Sequence, residues 1–339
     1  MPATSAGMTG MEQTNMISRR NFLISSLLAG AATSSLAQAQ SYPTGQVRMI
    51  VPFPPGGATD VIGRVVTHGL QGLWGQSVLQ EYQPGASGLI GTRRVAGSPP
   101  DGYTLLLSST GGILSLASSN PDPNYKITQD LAPISLMSAP PYILCVNPNV
   151  PVRTAAELIA YAKANPGKLT FGSSGAGTAT HLSGVLFQYM TGVEFLHVPY
   201  RGVGPATTGI LGGQIDMLFA PVVIVPHIAS GKIRAVGLTT AKRSSLFPDI
   251  PTIAETGLPG YESLGWFGVF APAKTPDAIV NKVSADIGKV LGMPESKKIL
   301  NDQGAEPEPN SAPVFTQFVN TEVKKWLDLA KAANIKLSP

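Results

Sequence analysis

The sequence predicts an α/β protein of two lobes, each built on a mainly parallel sheet. Three observations predict it. Short apolar strands alternate with amphipathic helical stretches along almost the whole chain. Two strand-to-helix turns, one after Val51 and one after Gly172, share a composition of glycines and small hydroxyl residues. Two apolar stretches, Ile134 to Val146 and Leu264 to Ala271, read as strands that leave one lobe and return to it, which makes a two-stranded hinge beside a cleft.

In chain order, Ser18-Arg19-Arg20-Asn21-Phe22-Leu23 opens an uncharged stretch that runs to Leu36 and ends in Ala37-Gln38-Ala39, a small-x-small pattern. It resembles a twin-arginine export signal, with cleavage expected after Ala39 and a periplasmic destination. The stretch is too short and too rich in Ser, Ala and Gly for a membrane span. A lipid anchor would need a cysteine near the cleavage point, and none stands there. Either Met1 or Met16 can serve as the start.

Arg48 to Val51 is a β-rich run that passes through Pro52-Phe53-Pro54-Pro55-Gly56-Gly57-Ala58-Thr59-Asp60 into a helix with Val61, Ile62, Val65, Val66, Leu70, Leu73 and Trp74 at helical spacing. Gly56 and Gly57 lack a Cβ that would obstruct a ligand, and Thr59 or Asp60 can cap the helix whose first amides and positive dipole end face outward. That combination suits an anion. Ser77 to Gln80 is a second strand, and Tyr103 to Leu107 a third, ending at Ser108-Ser109-Thr110-Gly111-Gly112 beside the first polar turn.

Beyond the first crossing, Leu169 to Gly172 is a strand followed by Ser173-Ser174-Gly175-Ala176-Gly177-Thr178-Ala179-Thr180 and a helix with Leu182, Val185, Leu186 and Tyr189 on one face. Strands follow at Phe195 to Tyr200, Ile215 to Ala220 and 233 to 239, with a helix begun near Pro205 and closed at Gly212-Gly213. After the return crossing, Thr275-Pro276-Asp277 starts one helix, and Ser311 with Pro313 starts another that buries Phe315, Phe318, Val319, Trp326 and Leu329. The domains expected are 40–141 with 268–339, and 142–267.

The formal charge is +4 and 13% of residues are charged, with no basic run interleaved with aromatics, so nucleic acid is not a partner. Cys145 is the one cysteine and sits in an apolar run, which reads as a core residue. CxxC, HExxH and paired histidines at ligand spacing are missing, so neither metal nor cofactor is expected. Nucleophile-elbow and phosphate-loop motifs are missing too, so an exported hydrolase using His181 or His197 with a serine is the weakest reading.

The segments VPFPPGGATD, QPGASGLIGT, SPPDGYTLL, LTFGSSGAGTATHL, HVPYRGVGPA, GGQIDMLF, FPDIPTIAETGLPGY and WFGVFAPAKTP, in this order, resemble the Bug family of extracytoplasmic solute receptors, the substrate-binding components of tripartite tricarboxylate transporters. The likeness covers residues 45 to about 310. It implies a two-domain periplasmic binding protein, type II-like, with two crossover strands and a ligand in the interdomain cleft. It also implies a small carboxylate held by backbone amides and hydroxyls, and membrane permease subunits as partners; a monomer is expected, and the missing catalytic motifs predict that it is not an enzyme.

Carried over by matching motif, the binding residues are Phe53, Gly57, Ala58, Thr59 and Asp60 from the first loop, Ser174, Gly177, Thr178 and His181 from the second, and Tyr200 and Asp216 from later strand ends, with Ser109 at the third strand end. Family members commonly carry an Asn and a basic residue before Pro-Gly-Ala, where this chain has Tyr82-Gln83. Trp266 and Phe267 read as hinge packing that can wall a ligand. The same closed lobes could instead serve a sensor kinase in the membrane, and no motif separates transport from sensing.

Overall fold

The computed structural model describes residues 42–120, 122 and 126–334. The export signal and its cleavage point lie outside the described residues. Among the described residues, ten strands form two five-stranded sheets. The first contains β1 (Val47–Val51), β2 (Val78–Tyr82), β3 (Thr104–Ser109), β4 (Leu131–Ser138) and β10 (Phe267–Pro272), in the order β2-β1-β3-β10-β4. The second contains β5 (Ile143–Val146), β6 (Thr170–Ser173), β7 (Leu196–Pro199), β8 (Met217–Ala220) and β9 (Arg234–Leu238), in the order β7-β6-β8-β5-β9. Each sheet has three parallel strands, then one antiparallel strand, then an outer strand antiparallel to that one.

The central strands are apolar on both faces because helices cover both. In β1, Val47, Met49, Ile50 and Val51 are all buried. Helix α1 (Ala58–Trp74) buries Ile62, Val65, Val66 and Leu70 and stops at Gly75, whose φ of 62° lets its N–H reach the Gln71 carbonyl at 3.0 Å. Two corrections to the helix faces follow from length. Helix α5 (Ala179–Thr191) has 13 residues against the four of β6, so its last turn overhangs the sheet, and Tyr189 is 61% exposed although it shares a face with Leu182. Leu73, also in a last turn, is 41% exposed.

The long strand expected from Ile134 to Val146 is two strands, β4 and β5, in different sheets. Pro140-Pro141 break it, since proline cannot donate to a ladder. The return segment runs beside this break. Pro141 bridges Leu264, and the Gly265 N–H donates to the Pro140 carbonyl at 3.3 Å. Along β10, Gly268 leaves room for Phe315 of the helix Ala312–Ala332, and an added Cβ there would stand 2.1 Å from the ring. Trp266 packs edge-on to Phe315 and Phe318, and one connected apolar core includes Ile50 and Leu106 of the first sheet and Phe171 and Phe219 of the second. Cys145 is buried within β5, where desolvation pushes its thiol far above the ordinary range.

Candidate functional site

A cavity of about 230 Å³ lies where the carboxyl ends of β3, β6 and β8 meet the two crossing segments. Ser109, Thr110 and Gly111 reach it from the β3 end, and Ser174, Gly177, Thr178, Ala179 and Thr180 from the β6 end. Tyr142, Gly265, Trp266 and Phe267 supply the hinge wall. Two helices start at this cavity: α3 (Thr110–Ser118), with Ser109 as its N-cap residue, and α5, with Thr178 as its N-cap residue. Neither cap residue's side chain accepts from a backbone N–H of its own helix. The first amides of a helix have no intrahelical acceptor, so both ends offer N–H donors and a positive dipole to the same space.

The second loop is held by its own hydroxyls. The Ser174 N–H donates to Thr180 Oγ1 at 2.9 Å, and Ser174 Oγ, Thr178 Oγ1 and Thr180 Oγ1 lie within 3.2 Å of one another. Thr178 Oγ1 also donates to the Gly175 carbonyl at 2.6 Å. On the other side, the Thr110 N–H donates to the Trp266 carbonyl and the Trp266 N–H to Thr110 Oγ1, each at 3.1 Å, which ties the start of α3 to the return crossing. Among the described residues, no Lys, Arg, His, Asp or Glu lines the cavity. Its polar groups are hydroxyls and amides, which suit a small anion whose charge the wall does not neutralise.

The model of the tripartite tricarboxylate transporter family receptor matches residues 62–335. The chain belongs to this family. Protein BugT of Bordetella pertussis is 37% identical over 318 residues, covering 93% of this chain and 97% of that one. Among solved structures, Rpa4515 of R. palustris with adipate is 36% identical with a TM-score of 0.74, covering 87% of this chain and 99% of that one. MatC from Rhodopseudomonas palustris with bound malate is 32% identical with a TM-score of 0.71, covering 85% and 99%. The fold is the two-domain α/β fold of periplasmic solute-binding proteins, and no described helix is long and apolar enough to cross a membrane.

In this receptor, the residues expected to bind fall into two sets. Phe53, Ser109, Ser174, Gly177 and Thr178 line the cavity, whereas Gly57, Ala58, Thr59, Asp60, His181, Tyr200 and Asp216 do not. The cap of α1 is Gly57, with no side-chain cap bond, so neither Thr59 nor Asp60 caps it. Both are buried in the first turn, and Asp60 is consumed by structure. Its carboxylate accepts from the Gly56 amide (2.8 Å), Arg64 Nε and Nη2 (2.9 Å each), Gln80 Nε2 (2.9 Å) and Tyr82 Oη (2.6 Å). Burial raises its pKa, but the bonds from Tyr82, the Gly56 amide and Arg64 outweigh that and hold it down to about 2.

His181 is buried behind the second loop. Its Nδ1 accepts the Gly177 N–H at 3.1 Å, and its ring stacks on His197 at 4.0 Å. Desolvation, then the neighbouring His197, lower its pKa to about 4, so it is neutral and an acceptor at Nδ1. His197 Nε2 lies 2.7 Å from Ser173 Oγ, a serine–histidine contact that the sequence spacing did not reveal, but both sit behind the loop and outside the cavity.

Asp216 stands at the amino end of β8, the wrong end for a cleft at strand carboxyl ends. There its Oδ2 accepts the Thr170 N–H and Oγ1, each at 2.8 Å. The Tyr200 ring lies against Gly209 in the second lobe's own packing.

Sequence reasoning missed Ser87, Thr110, Tyr142 and Thr180. Ser87 carried a signal: Gly85, Ala86, Ser87 and Gly88 all have positive φ, and the Pro-Gly-Ala-Ser-Gly stretch is the turn chemistry that allows it.

Proposed function

We propose that the protein is an exported receptor that captures a small carboxylate in the cavity between its lobes, 40–141 with 268–339 and 142–267, for a tripartite tricarboxylate-type permease. The observation that carries this reading is a cavity faced by two helix starts and a set of hydroxyls, without one ionised side chain. Such a wall holds an anion by directed donors. A volume of about 230 Å³ suits a compact acid and is below the usual range of drug-sized pockets. Adipate and malate, the ligands of the two related structures, are acids of this kind.

Ser109, Ser174, Gly177 and Thr178 are the proposed ligand contacts, with Phe53 closing the side. Ala58 and Thr59 present further free amides at the start of α1, next to Phe53 in chain and outside the cavity walls. The protein reaches the periplasm by the twin-arginine route with cleavage after Ala39, does no chemistry on its ligand, and acts as a monomer. Calorimetry of the purified protein against adipate, malate, other di- and tricarboxylates and neutral analogues tests the reading. Saturable binding restricted to carboxylates supports it, and binding restricted to neutral or cationic compounds overturns it. Uptake of the bound acid that stops when the receptor is deleted supports the permease as partner.

A further inference from the structure

The hinge wall has more donors than the chain can use. Tyr142, immediately before β5, lines the cavity and is only partly buried. Its backbone N–H donates to Thr239 Oγ1 at 2.8 Å, but no protein group among the described residues takes its phenolic hydroxyl. Gly265 fixes where that hydroxyl sits. A Cβ on Gly265 would stand 2.5 Å from Tyr142 Oη, so the missing side chain on the return crossing is the slot into which the phenol fits. Beside it, the Trp266 indole is wholly buried, belongs to the same wall, and its Nε1–H has no partner in the described chain. A fully buried donor without an acceptor, such as this indole N–H, is unfavourable, while the Tyr142 hydroxyl at the cavity wall has no protein acceptor to compete with a ligand.

We propose that the Tyr142 hydroxyl donates to a second acceptor group of the ligand, remote from the one held by the helix starts, so that the site selects diacids over monoacids of the same length. The inference rests on the reading of the cavity as a carboxylate site. It adds a specificity-determining residue on the hinge itself. The helix starts at Ser109 and Thr178 belong to one lobe each, while Tyr142 and Gly265 belong to the two crossing segments. A ligand with one acceptor uses the first set and leaves the hinge donors unpaired. A ligand with two uses both. Desolvation keeps the phenol protonated, well above the ordinary tyrosine range, so it remains a donor throughout the pH range of periplasmic life.

The test is calorimetry on wild type, Tyr142→Phe and Gly265→Ala with two ligand pairs, adipate against hexanoate and malate against 3-hydroxybutyrate, each variant checked by circular dichroism. Wild type binds at least one diacid about 10- to 100-fold more tightly than its monoacid, the range of a hydrogen bond to a charged group. Tyr142→Phe removes most of that advantage and changes monoacid affinity less than about threefold. Gly265→Ala, which pushes the hydroxyl aside without touching it chemically, does the same. Equal affinity for both members of a pair, preference for the monoacids, or a Tyr142→Phe protein that keeps its full diacid advantage overturns the inference and leaves the carboxylate reading standing. If no carboxylate binds wild type at all, the carboxylate reading itself fails.

Discussion

Asp60 and His181 were both expected at a ligand, and in the structure both lie outside the cavity and brace neighbouring loops. Asp60 joins the turn at Gly56, the exposed Arg64 and the second strand through Gln80 and Tyr82. The Tyr82 bond, at 2.6 Å, is the shortest in the set. Replacing Asp60 by Asn turns an acceptor-only group into one that opposes the Arg64 and Gln80 donors, and should lower stability by about 2 to 3 kcal/mol in urea denaturation.

The pH dependence separates the two residues. Asp60 titrates at about 2 in the folded chain against 3.8 unfolded, so its stabilisation is present above pH 4 and lost as the pH falls towards 2. His181 titrates at about 4 against 6.5, so the unfolded chain takes up its proton first. Stability should therefore be full above pH 6.5 and fall by about 3 kcal/mol by pH 4, where the charged ring can no longer accept the Gly177 N–H. Urea midpoints measured from pH 7 to 4 on wild type and His181→Gln check it, the variant losing most of the upper slope.

At the scale of elements, close approaches between a strand or helix and its neighbours decide what can be substituted. Gly268 of β10 admits the Phe315 ring, so Gly268→Ala should lose about 1 to 3 kcal/mol by overpacking, visible as a lowered melting temperature with ligand selectivity unchanged. Gly57 is the opposite case. Its φ of −92° is open to any residue, and an added Cβ meets nothing within 4 Å. Gly57→Ala should fold with stability within about 0.5 kcal/mol of wild type, and because Gly57 lies outside the cavity it should bind carboxylate with little change. A tenfold loss of affinity in that folded variant would instead bring the start of α1 into the bound state.

For the whole molecule, the two sheets share one order of strands, and the backbone passes between them at the segments around Pro140-Pro141 and Ser263 to Trp266. The cavity is lined from the loops of both sheets and from the crossing segments. A ligand that engages all three should favour a closed arrangement over an open one, because only closure brings every donor to it. Scattering profiles recorded with and without a bound diacid should show a smaller radius of gyration in the complex, and superimposable profiles would remove closure from the mechanism.

The sequence by itself determined the α/β class, the alternation of elements, the two hydroxyl-rich turns and the family, because each of these is written in local periodicity, in turn chemistry and in collinear motifs. It also placed Cys145 in the core and the crossings near Pro140 and Leu264, where proline and unbroken apolar runs leave few options. Only the tertiary structure decided which donors face one another. Thr59 and Asp60 looked like caps because they start a helix, yet the cap is a glycine and the carboxylate turned inward, where Tyr82 and Gln80 from a strand 20 residues away complete its shell. Asp216 looked like a strand end, and which end of β8 it occupies depends on the direction of that strand beside β6. Tyr142 gave no signal at all, since a tyrosine at a strand start is ordinary until a glycine more than 100 residues later makes room for its hydroxyl. Pairings of that span are set by packing, which sequence periodicity does not encode.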